Sequence, residues 1–389
     1  MPVINRIAEF HDAMTEWRRD IHAHPETAFE ETRTSDIVAN LLEEFGMEVH
    51  RGLATTGVVG TLKAGTSDHR VGLRADLDAL HIHEKNTFDH RSQNDGKMHA
   101  CGHDGHTTML LGAAKYLAET KNFDGTIHFI FQPAEENEGG GRVMIEDGLF
   151  DLFPCDEIYG MHNAPGIEVG KFAVREGPFL AAFDIFEITV TGIGTHAAMP
   201  DRGIDPMIPA AQIILGLQAI PSRETSPLNA AVVSVTQVHG GDTWNVIPDT
   251  VVLRGTCRWF DKEVRDLLEP AMKRIADGIA AAHRCSAELR YERRYPATVN
   301  TPEHTGFAAG VAENLVGAGN VDRDFQPDMG SEDFAFMLEE KPGCYILIGN
   351  GPEEGGCLLH NPHYDFNDEV LPLGASYWAR LAESALSKS

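Results

Sequence analysis

The sequence contains few cationic residues and no long hydrophobic run. Its 32 Lys and Arg residues are outnumbered by 59 Asp and Glu residues, which gives a formal net charge of −27 over 389 residues. Such a surface repels nucleic-acid phosphates and anionic lipid head groups, so we expect neither nucleic acid nor membrane as a partner. No apolar stretch is long enough to span a bilayer. Residues 1–20 lack the apolar segment of a signal peptide and predict an amphipathic helix, so we expect a cytoplasmic protein.

Cysteine is also rare, and no two cysteines form a C-x-x-C pair. Scattered cysteines favour free thiols in a reducing compartment over a disulfide framework. The six cysteines are Cys101, Cys155, Cys257, Cys285, Cys344 and Cys357. Free cysteines are usually small buried residues, and we expect this of most of them. Cys101 is the exception, because histidines and an aspartate surround it.

Both ends of the sequence alternate short β runs with helical stretches. Strands are predicted at VGLRA, IHFIF, EIYGMHNAP and CYILIGN, and helices at GHTTMLLGAAKYLAE and LGASYWARLAESAL. This alternation is typical of an α/β fold in which helices flank a mixed, mostly parallel sheet. A length of 389 residues predicts about two domains.

The pattern changes near residue 183. FDIFEITVTG alternates apolar and polar residues, which predicts a half-buried antiparallel edge strand. The order that follows is strand, helix, strand, strand, helix, strand, which is typical of a ferredoxin-like α+β layer. We therefore predict a discontinuous metal-binding catalytic domain at 1–182 and 293–389, with a lid inserted at 183–292.

Polar side chains follow several of the predicted strands. Ligand sites in open α/β sheets lie at the carboxyl ends of the strands. These residues are Asp76 after VGLRA, Glu135 and Glu136 after IHFIF, His162 in the polar end of EIYGMHNAP, and His360 after CYILIGN. The CGHDGH segment precedes a helix, as a loop at the same rim would. We expect all of these side chains to meet at one edge of the sheet.

The CGHDGH segment has two open interpretations. Cys101 and His103 are two positions apart, so in an extended segment both side chains point the same way, and thiolate with imidazole is a ligand pair for zinc. Alternatively, Cys101 is a nucleophile paired with a histidine. Asp104 and His106 are interpreted as capping or supporting residues and His99 as a bystander.

Each of these polar residues taken singly has a simpler interpretation as a solvated loop residue. Their joint placement favours a metal centre. Five ligands suit two divalent ions, because one catalytic zinc usually takes three protein ligands and a water. The candidate ligands are Cys101, His103, Glu136, His162 and His360. Two ions activate water for amide hydrolysis, and Glu135 would carry the proton from that water to the leaving amine.

A set of motifs supports this interpretation through a resemblance. The motifs, in order, are RADLDAL, MHACGHDGH, QPAEE, GMHN, GTHAAMP, NVIPD, MGSEDFAFM and HNPHYDFND. Over nearly the whole chain they resemble the metal-dependent aminoacylase/carboxypeptidase-type amidohydrolase family, in its branch of hippurate hydrolases and indoleacetyl-amino-acid hydrolases. The motifs are specific in combination. The resemblance implies a zinc-peptidase-like catalytic domain and a lid that dimerises.

The resemblance also implies roles for residues of the centre. It assigns the same metal ligands, Glu135 as general base, and Asp76 as a residue that orients a ligand. In the wider family this strand reads His-x-Asp, and the histidine is a ligand. This chain reads Arg74-x-Asp76, so Cys101 and His103 must supply that side of the site. A thiolate favours zinc, while manganese, cobalt and nickel stay open as alternatives.

Three residues of the lid match the family in the same way. The resemblance implies that His196 stabilises the oxyanion in the active site of a partner subunit. It implies that Asn245 and Arg258 hold the free carboxylate of the substrate. A guanidinium suits a carboxylate because it donates two parallel hydrogen bonds. We therefore expect a homodimer or homotetramer that associates through the lid.

We predict a metallo-amidohydrolase that cleaves a small N-acyl amino acid, with N-benzoylglycine (hippurate) as the first candidate. An N-acetyl amino acid deacetylase and a dipeptidase or carboxypeptidase are alternatives on the same centre. A noncatalytic relative that only binds metal or ligand is an alternative of another class. The presence of Glu135 argues against it, because a relative that has lost activity would be expected to lose the base first.

Overall fold

The structure is a computed structural model that describes residues 2–136, 138–352 and 358–388. Cys357 lies outside the described residues. The strands, in chain order, are β1 (Glu48–Leu53), β2 (Gly57–Ala64), β3 (Arg70–Asp76), β4 (Gly125–Gln132), β5 (Glu157–Pro165), β6 (Phe172–Ala173), β7 (Gly177–Leu180), β8 (Ala182–Thr191), β9 (Thr195–His196), β10 (Ala231–His239), β11 (Val246–Ile247), β12 (Thr250–Trp259), β13 (Ser286–Tyr295), β14 (Thr298–Asn300), β15 (Val321–Asp322) and β16 (Gly343–Gly351).

The helices lie between these strands and at both ends of the chain. The α-helices are α1 (Asn5–Ala8), α2 (His11–Ala23), α3 (Thr32–Glu44), α4 (His103–Thr120), α5 (Gly140–Glu146), α6 (Leu149–Leu152), α7 (Met207–Leu217), α8 (Lys262–Ala282), α9 (Pro302–Val316), α10 (Phe334–Glu340) and α11 (Leu371–Ala385). Short 3₁₀ segments lie at Pro200–Arg202, Ala318–Asn320 and Asp368–Val370, and a π-helical turn lies at Ile220–Glu224. The predicted N-terminal helix is present as two helices, α1 and α2. No helix within the described ranges is both long and apolar enough to cross a membrane.

The chain divides into two compact units. Unit 1 comprises Met1–Phe179, Thr298–Gln326 and Asp333–Ser389, and unit 2 comprises Leu180–Ala297 and Pro327–Glu332. These divisions lie a few residues from the predicted boundaries. The segment Pro327–Glu332 joins unit 2, which no sequence pattern indicated. The catalytic role of one unit and the lid role of the other stay predictions.

Unit 1 contains the central sheet, in the order β1-β2-β4-β3-β5-β16-β6-β15. The inner strands β4, β3, β5 and β16 run parallel to one another. Antiparallel pairs lie towards the edges, at β1 with β2, β2 with β4, and β16 with β6. The predicted mixed, mostly parallel sheet is therefore confirmed.

The CGHDGH segment leads into helix α4, which packs against the central sheet. Its residues are buried almost continuously from His103 to Leu117, because β3 lies on one side and α2 and α11 lie on the others. Its buried residues include polar ones, which lie in the first two turns beside the candidate site. The first turn of α4 is thereby held rigidly at the carboxyl ends of the parallel strands.

Unit 2 contains a four-stranded antiparallel sheet in the order β10-β12-β8-β13. The chain order β8-α7-β10-β12-α8-β13 with this strand order is the split βαβ topology. The prediction that FDIFEITVTG is an edge strand is wrong, because β8 lies between β12 and β13. Its alternation arises because one face of β8, with Phe186, Ile188 and Val190, is buried in the core of the unit.

The five described cysteines are free thiols, as the sequence predicts. Cys101, Cys155, Cys257 and Cys344 are buried, and Cys285 is partly buried. Burial raises the pKa of Cys155, Cys257 and Cys344 to about 12. These three thiols therefore behave as small apolar core residues at neutral pH.

Candidate metal centre

Side chains from five segments meet at the carboxyl edge of the parallel strands of unit 1. Asp76 is the last residue of β3, and Glu135 and Glu136 follow β4. His162 lies within β5, and His360 follows β16. The CGHDGH segment enters α4 at the same edge. The expected meeting of these segments at one rim is therefore observed.

Gly102 sets the turn from Cys101 into α4. It has a φ of +98°, and a Cβ at this position would lie 2.2 Å from Nδ2 of Asn163 and 2.7 Å from the hydroxyl of Tyr364. Only glycine fits both the backbone and the space. Since α4 begins at His103, the interpretation of Cys101 and His103 as neighbours on one side of an extended segment is wrong. The two side chains converge because the chain turns through the left-handed region at Gly102.

Asp78 holds two of the candidate ligands. Nδ1 of His103 lies 2.9 Å from the backbone oxygen of Asp78 and 3.2 Å from its Oδ1, so Nδ1 carries the proton. The backbone N–H of Glu136 donates to Oδ2 of Asp78 at 2.9 Å. Nε2 of His103 is buried and has no hydrogen-bond partner among the described residues. A buried unpaired nitrogen costs free energy, which a metal ion at that position would recover.

His162 is oriented in the same manner. Its Nδ1 donates to the backbone oxygen of Asn163 at 2.7 Å, which leaves Nε2 to point at Sγ of Cys101 at 3.3 Å. Burial lowers the pKa of His162 well below its usual value. The ring is therefore neutral, with the unprotonated nitrogen directed into the cluster, as metal coordination requires.

His360 reaches the cluster from a constrained backbone. Its φ of +62° is uncommon for a residue with a side chain, and its N–H donates to the oxygen of Ala100 at 2.7 Å. Nε2 lies 3.3 Å from Oε1 of Glu136, an ion-pair distance without hydrogen-bond geometry. The neighbouring Cys101 sulfur and Glu136 carboxylate raise the pKa of His360 to about 10. The Cys101 sulfur and the Glu136 carboxylate thus stabilise a positive charge at this position.

The donor atoms form overlapping groups. Atoms within 4.8 Å of one another belong to the groups Cys101–His103–His162, Cys101–Glu136–His360 and His103–Glu135–Glu136. Cys101 and His103 each belong to two of these groups, so neighbouring positions for an ion share ligands. Thiolate, imidazole and carboxylate donors fit zinc and other late divalent ions. The residues present therefore fit a centre of two divalent ions.

Asp76 lies beneath the cluster. Its Oδ1 is 2.6 Å from Nδ1 of His106, and its Oδ2 accepts a hydrogen bond from Arg74 at 2.7 Å. Oδ2 lies 3.8 Å from Nε2 of His103. His106 uses its other ring nitrogen to accept the N–H of Asn163 at 2.9 Å. Asp76 therefore positions the cluster mainly through His106 and Arg74.

Asp104 does not cap α4, which corrects one part of the sequence interpretation. The helix has no side-chain cap, and Oδ2 of Asp104 instead lies 2.8 Å from Nδ1 of His22 and 3.6 Å from the guanidinium of Arg18. Burial lowers the pKa of His22, but the hydrogen bonds that its ring donates to the carboxylates of Asp104 and Glu84 outweigh burial and raise that pKa to about 9. His99 is buried, and neither ring nitrogen has a hydrogen-bond partner in the described part of the chain.

Sequence reasoning missed two supporting residues. Asp78 could have been found, because it is a second acidic residue two positions after Asp76, just beyond the end of a buried strand. Asn163 donates to the backbone oxygen of Cys101 at 2.6 Å, and the hydroxyl of Tyr364 donates to its Oδ1 at 2.7 Å. No local pattern predicts these contacts, because the partners are far apart in sequence.

Two of the remaining candidates are neighbours within unit 2. β9 pairs with β11, with His196 opposite Val246. The N–H of Ala197 donates to the backbone oxygen of Asn245 at 2.9 Å. The side chains of His196 and Asn245 are exposed. Their proposed contacts with substrate stay predictions.

Arg258 lies on the larger sheet of unit 2, in β12. Its guanidinium stacks 4.3 Å above the ring of Phe183, donates to Oγ1 of Thr256 at 2.6 Å, and donates to the oxygen of Met329 at 3.2 Å. Burial lowers the pKa of Arg258. Arg258 thus lies in a different sheet of unit 2 from the β9–β11 pair, and its role as a carboxylate ligand also stays a prediction.

Comparisons with known proteins agree with this chemistry. The model of peptidase family M20/M25/M40 matches residues 72–384, a range that includes every candidate site residue. The chain is similar to a hippurate hydrolase of Campylobacter jejuni, with 42% identity over 98% of this chain and 99% of the relative. It is also similar to an N-acetylcysteine deacetylase of Bacillus subtilis, with 40% identity over 96% of this chain and 97% of the relative.

A solved structure shares the whole fold. A dinuclear metal binding peptidase of the M20 family from Bacillus subtilis superposes with a TM-score of 0.85 and 37% identity, covering 98% of this chain and 100% of that chain. That protein is described as binding two metal ions. The similarity extends over both units of the present chain.

Proposed function

Because the chain belongs to peptidase family M20/M25/M40 and is a hydrolase of that family, we propose that it hydrolyses N-acyl amino acids, with hippurate as the preferred substrate. The observation that carries this proposal is the convergence of the donor atoms of Cys101, His103 and His162 beside Glu135 and Glu136. The choice of hippurate rests on the similarity to the hippurate hydrolase of Campylobacter jejuni. An N-acetyl amino acid is the second candidate, supported by the similarity to the deacetylase.

Glu135 is the proposed general base. A carboxylate oxygen of Glu135 lies within 4.8 Å of the donor atoms of His103 and Glu136, and Glu135 is only 6% exposed. When bound, two divalent ions polarise the substrate carbonyl and lower the pKa of water. Glu135 then accepts a proton from the attacking water and gives it to the amide nitrogen as the C–N bond breaks. The products are the carboxylic acid and the free amino acid.

The remaining proposed roles concern the negative charges of the substrate, which are its free carboxylate and the oxyanion formed during hydrolysis. An N-acyl amino acid carries a free carboxylate, and a chain with a net charge of −27 needs a local cation to bind it. We assign Arg258 and Asn245 to this carboxylate. We assign His196 to the oxyanion in the active site of the partner subunit of a homodimer, because its side chain is exposed on the short β9–β11 pair.

Zinc is the proposed metal, because a thiolate is one of the ligands. Manganese, cobalt and nickel are the alternatives. Cytoplasmic location is proposed from the scattered free thiols, which suit a reducing compartment.

The first experiment is hydrolysis of hippurate by metal-loaded protein, with released glycine as the readout. Rapid release of glycine is expected. If hippurate stays intact while an N-acetyl amino acid or a dipeptide is cleaved, the benzoyl assignment is wrong and the amidohydrolase assignment stands. If all three substrates stay intact with metal bound, the noncatalytic alternative becomes the better interpretation.

Chelation distinguishes the metal mechanism from a cysteine nucleophile. Cys101 and His162 are close enough to form a Cys–His pair, at 3.3 Å, so the test is needed. A metal enzyme loses activity in EDTA and recovers it when zinc or manganese is added. A thiol enzyme keeps its activity in EDTA and loses it to iodoacetamide after chelation.

A further inference from the structure

The amino edge of the central sheet carries a second cluster of charged side chains. Arg70 is the first and Asp76 the last residue of β3, so this edge lies about 20 Å along the strand from the candidate metal centre. A pocket of about 470 Å³ opens here, and Lys63, Arg70 and Lys121 contribute its cationic lining. This pocket lies within unit 1 and is separate from the amidohydrolase site.

The strand register brings two of these cations to one face. Thr126 of β4 pairs with Lys63 of β2 on one side and with Arg70 of β3 on the other. Paired residues of neighbouring strands extend their side chains from the same face of the sheet. Lys63 and Arg70 therefore flank the hydroxyl of Thr126 on that face. Lys121, at the end of α4, also lines the pocket.

The side chains of these cations form no ion pair with a described residue, although Oδ2 of Asp156 accepts the backbone N–H of Arg70 at 2.8 Å. Elsewhere in unit 1, Lys97 pairs with Glu30 at 2.7 Å and Lys115 pairs with Glu119 at 3.3 Å. Lys63, Arg70 and Lys121 form no ion pair with any residue that the structure describes. Since acidic residues outnumber basic ones across the chain, a group of unpaired cations is the opposite of what the composition predicts.

The remaining lining is mostly uncharged. Of the described lining residues, only Glu48 is acidic, so three cations face one carboxylate. His128 is 5% exposed and lies 3.0 Å from Oγ1 of Thr61 through its Nδ1. Burial lowers the pKa of His128 to about 4, so the ring is neutral at pH 7. The lining residues thus carry a net charge of about +2, with hydroxyl and imidazole groups among them.

We propose that this pocket binds a small phosphomonoester as its dianion. The phosphate group would lie between Lys63 and Arg70, above the hydroxyl of Thr126, with Lys121 as the third cation. A dianion matches the charge of the pocket, and charge-assisted hydrogen bonds to phosphate are stronger than neutral ones. The volume of about 470 Å³ exceeds that of a phosphate group, which leaves space for a small organic group.

Titration calorimetry of the metal-loaded protein tests this at constant ionic strength. The probes are glycerol 3-phosphate, inorganic phosphate, sulfate and chloride. The triple variant Lys63→Gln, Arg70→Gln, Lys121→Gln is expected to bind glycerol 3-phosphate at least tenfold more weakly, while hippurate hydrolysis without phosphate stays unchanged. The control removes three exposed cations that form no ion pair with a described residue, through Arg223→Gln, Lys262→Gln and Arg284→Gln.

The comparison of probes and variants can overturn the proposal. Equal affinities in wild type and triple variant would place phosphate binding elsewhere, including at the metal centre. An equal loss in the control variant would mean that only net charge matters. Binding of inorganic phosphate as tight as that of glycerol 3-phosphate would exclude an organic group from the site. If the triple variant does not fold, Lys63→Gln and Lys121→Gln serve as single variants, each expected to weaken binding severalfold.

Discussion

The two edges of the central sheet carry ionisable groups in opposite environments. At the carboxyl edge, Asp76 is fully buried and His103 is 1% exposed, and each is held by neighbouring polar groups. At the amino edge, Lys63 and Lys121 are exposed and form no ion pair with a described residue. Both edges belong to the same strands, since β3 begins with Arg70 and ends with Asp76.

Burial explains the difference. Charged groups that lose water must be compensated by hydrogen bonds, by opposite charges or by a metal ion. The carboxyl edge therefore needs a network of hydrogen-bond partners, and the unpaired Nε2 of His103 lies among several other possible metal ligands. The cations of the amino edge stay hydrated, so they cost little free energy while no ligand is bound.

The largest expected effect is at the carboxyl edge. Glu135→Gln should lower the rate of hippurate hydrolysis by a factor on the order of 10²–10⁴, because the amide cannot accept the proton of the attacking water. Metal content, measured by atomic emission, should stay unchanged. Glu138→Gln, which changes an exposed glutamate nearby, is the control and should keep full activity. Loss of metal in the Glu135 variant would assign Glu135 as a ligand instead.

Gly102→Ala should destabilise the carboxyl edge by about 2–5 kcal/mol, from left-handed backbone strain plus overpacking against Asn163. Gly96→Ala is a matched control, because Gly96 has a φ of +79° and a Cβ added there would have no atom within 4 Å. Gly96→Ala should lower the free energy of unfolding only by the backbone strain, about 1–2 kcal/mol. Urea unfolding measures both variants. Equal losses would show that the contact with Asn163 does not matter.

At the amino edge, His128 should make stability depend on pH. Burial lowers its pKa to about 4, whereas the unfolded chain binds this proton near pH 6.5. The unfolded state therefore gains protons first, and His128 reduces stability as pH falls from about 6.5 to 4, by up to about 3 kcal/mol. His128→Gln should remove this part of the acid sensitivity. Parallel pH profiles of unfolding free energy for both proteins would contradict the assignment.

Asp78→Asn should have the smallest of these effects. The asparagine keeps the shape of the side chain but lacks the negative charge that orients His103 and Glu136, so metal affinity should fall about 10–100-fold. Competition with a chromophoric chelator measures this loss. Asp95→Asn changes an exposed residue and should leave affinity unchanged. An unaltered affinity in the Asp78 variant would limit its role to the backbone contact.

The central sheet and the candidate ligands could be predicted from sequence because both depend on short-range patterns. Strand-helix alternation predicts a parallel sheet, and polar residues that follow buried strands indicate the carboxyl edge of that sheet. The position of β8 could not be predicted, since alternation shows that one face is buried but not which strands lie alongside. The partner of Asp104 was missed for a related reason, because His22 lies on α2, far away in the sequence.

By itself the sequence determined which donor atoms are available and in which order along the chain they occur, because residue type and local periodicity need no tertiary contact. Only the tertiary structure decided that Gly102 turns Cys101 towards His162, that Asp78 selects the free nitrogen of His103, and that Lys63 and Arg70 flank Thr126. Each of these depends on distances between residues that are remote in sequence. Such distances are set by how strands pair and how helices pack, which local patterns do not encode.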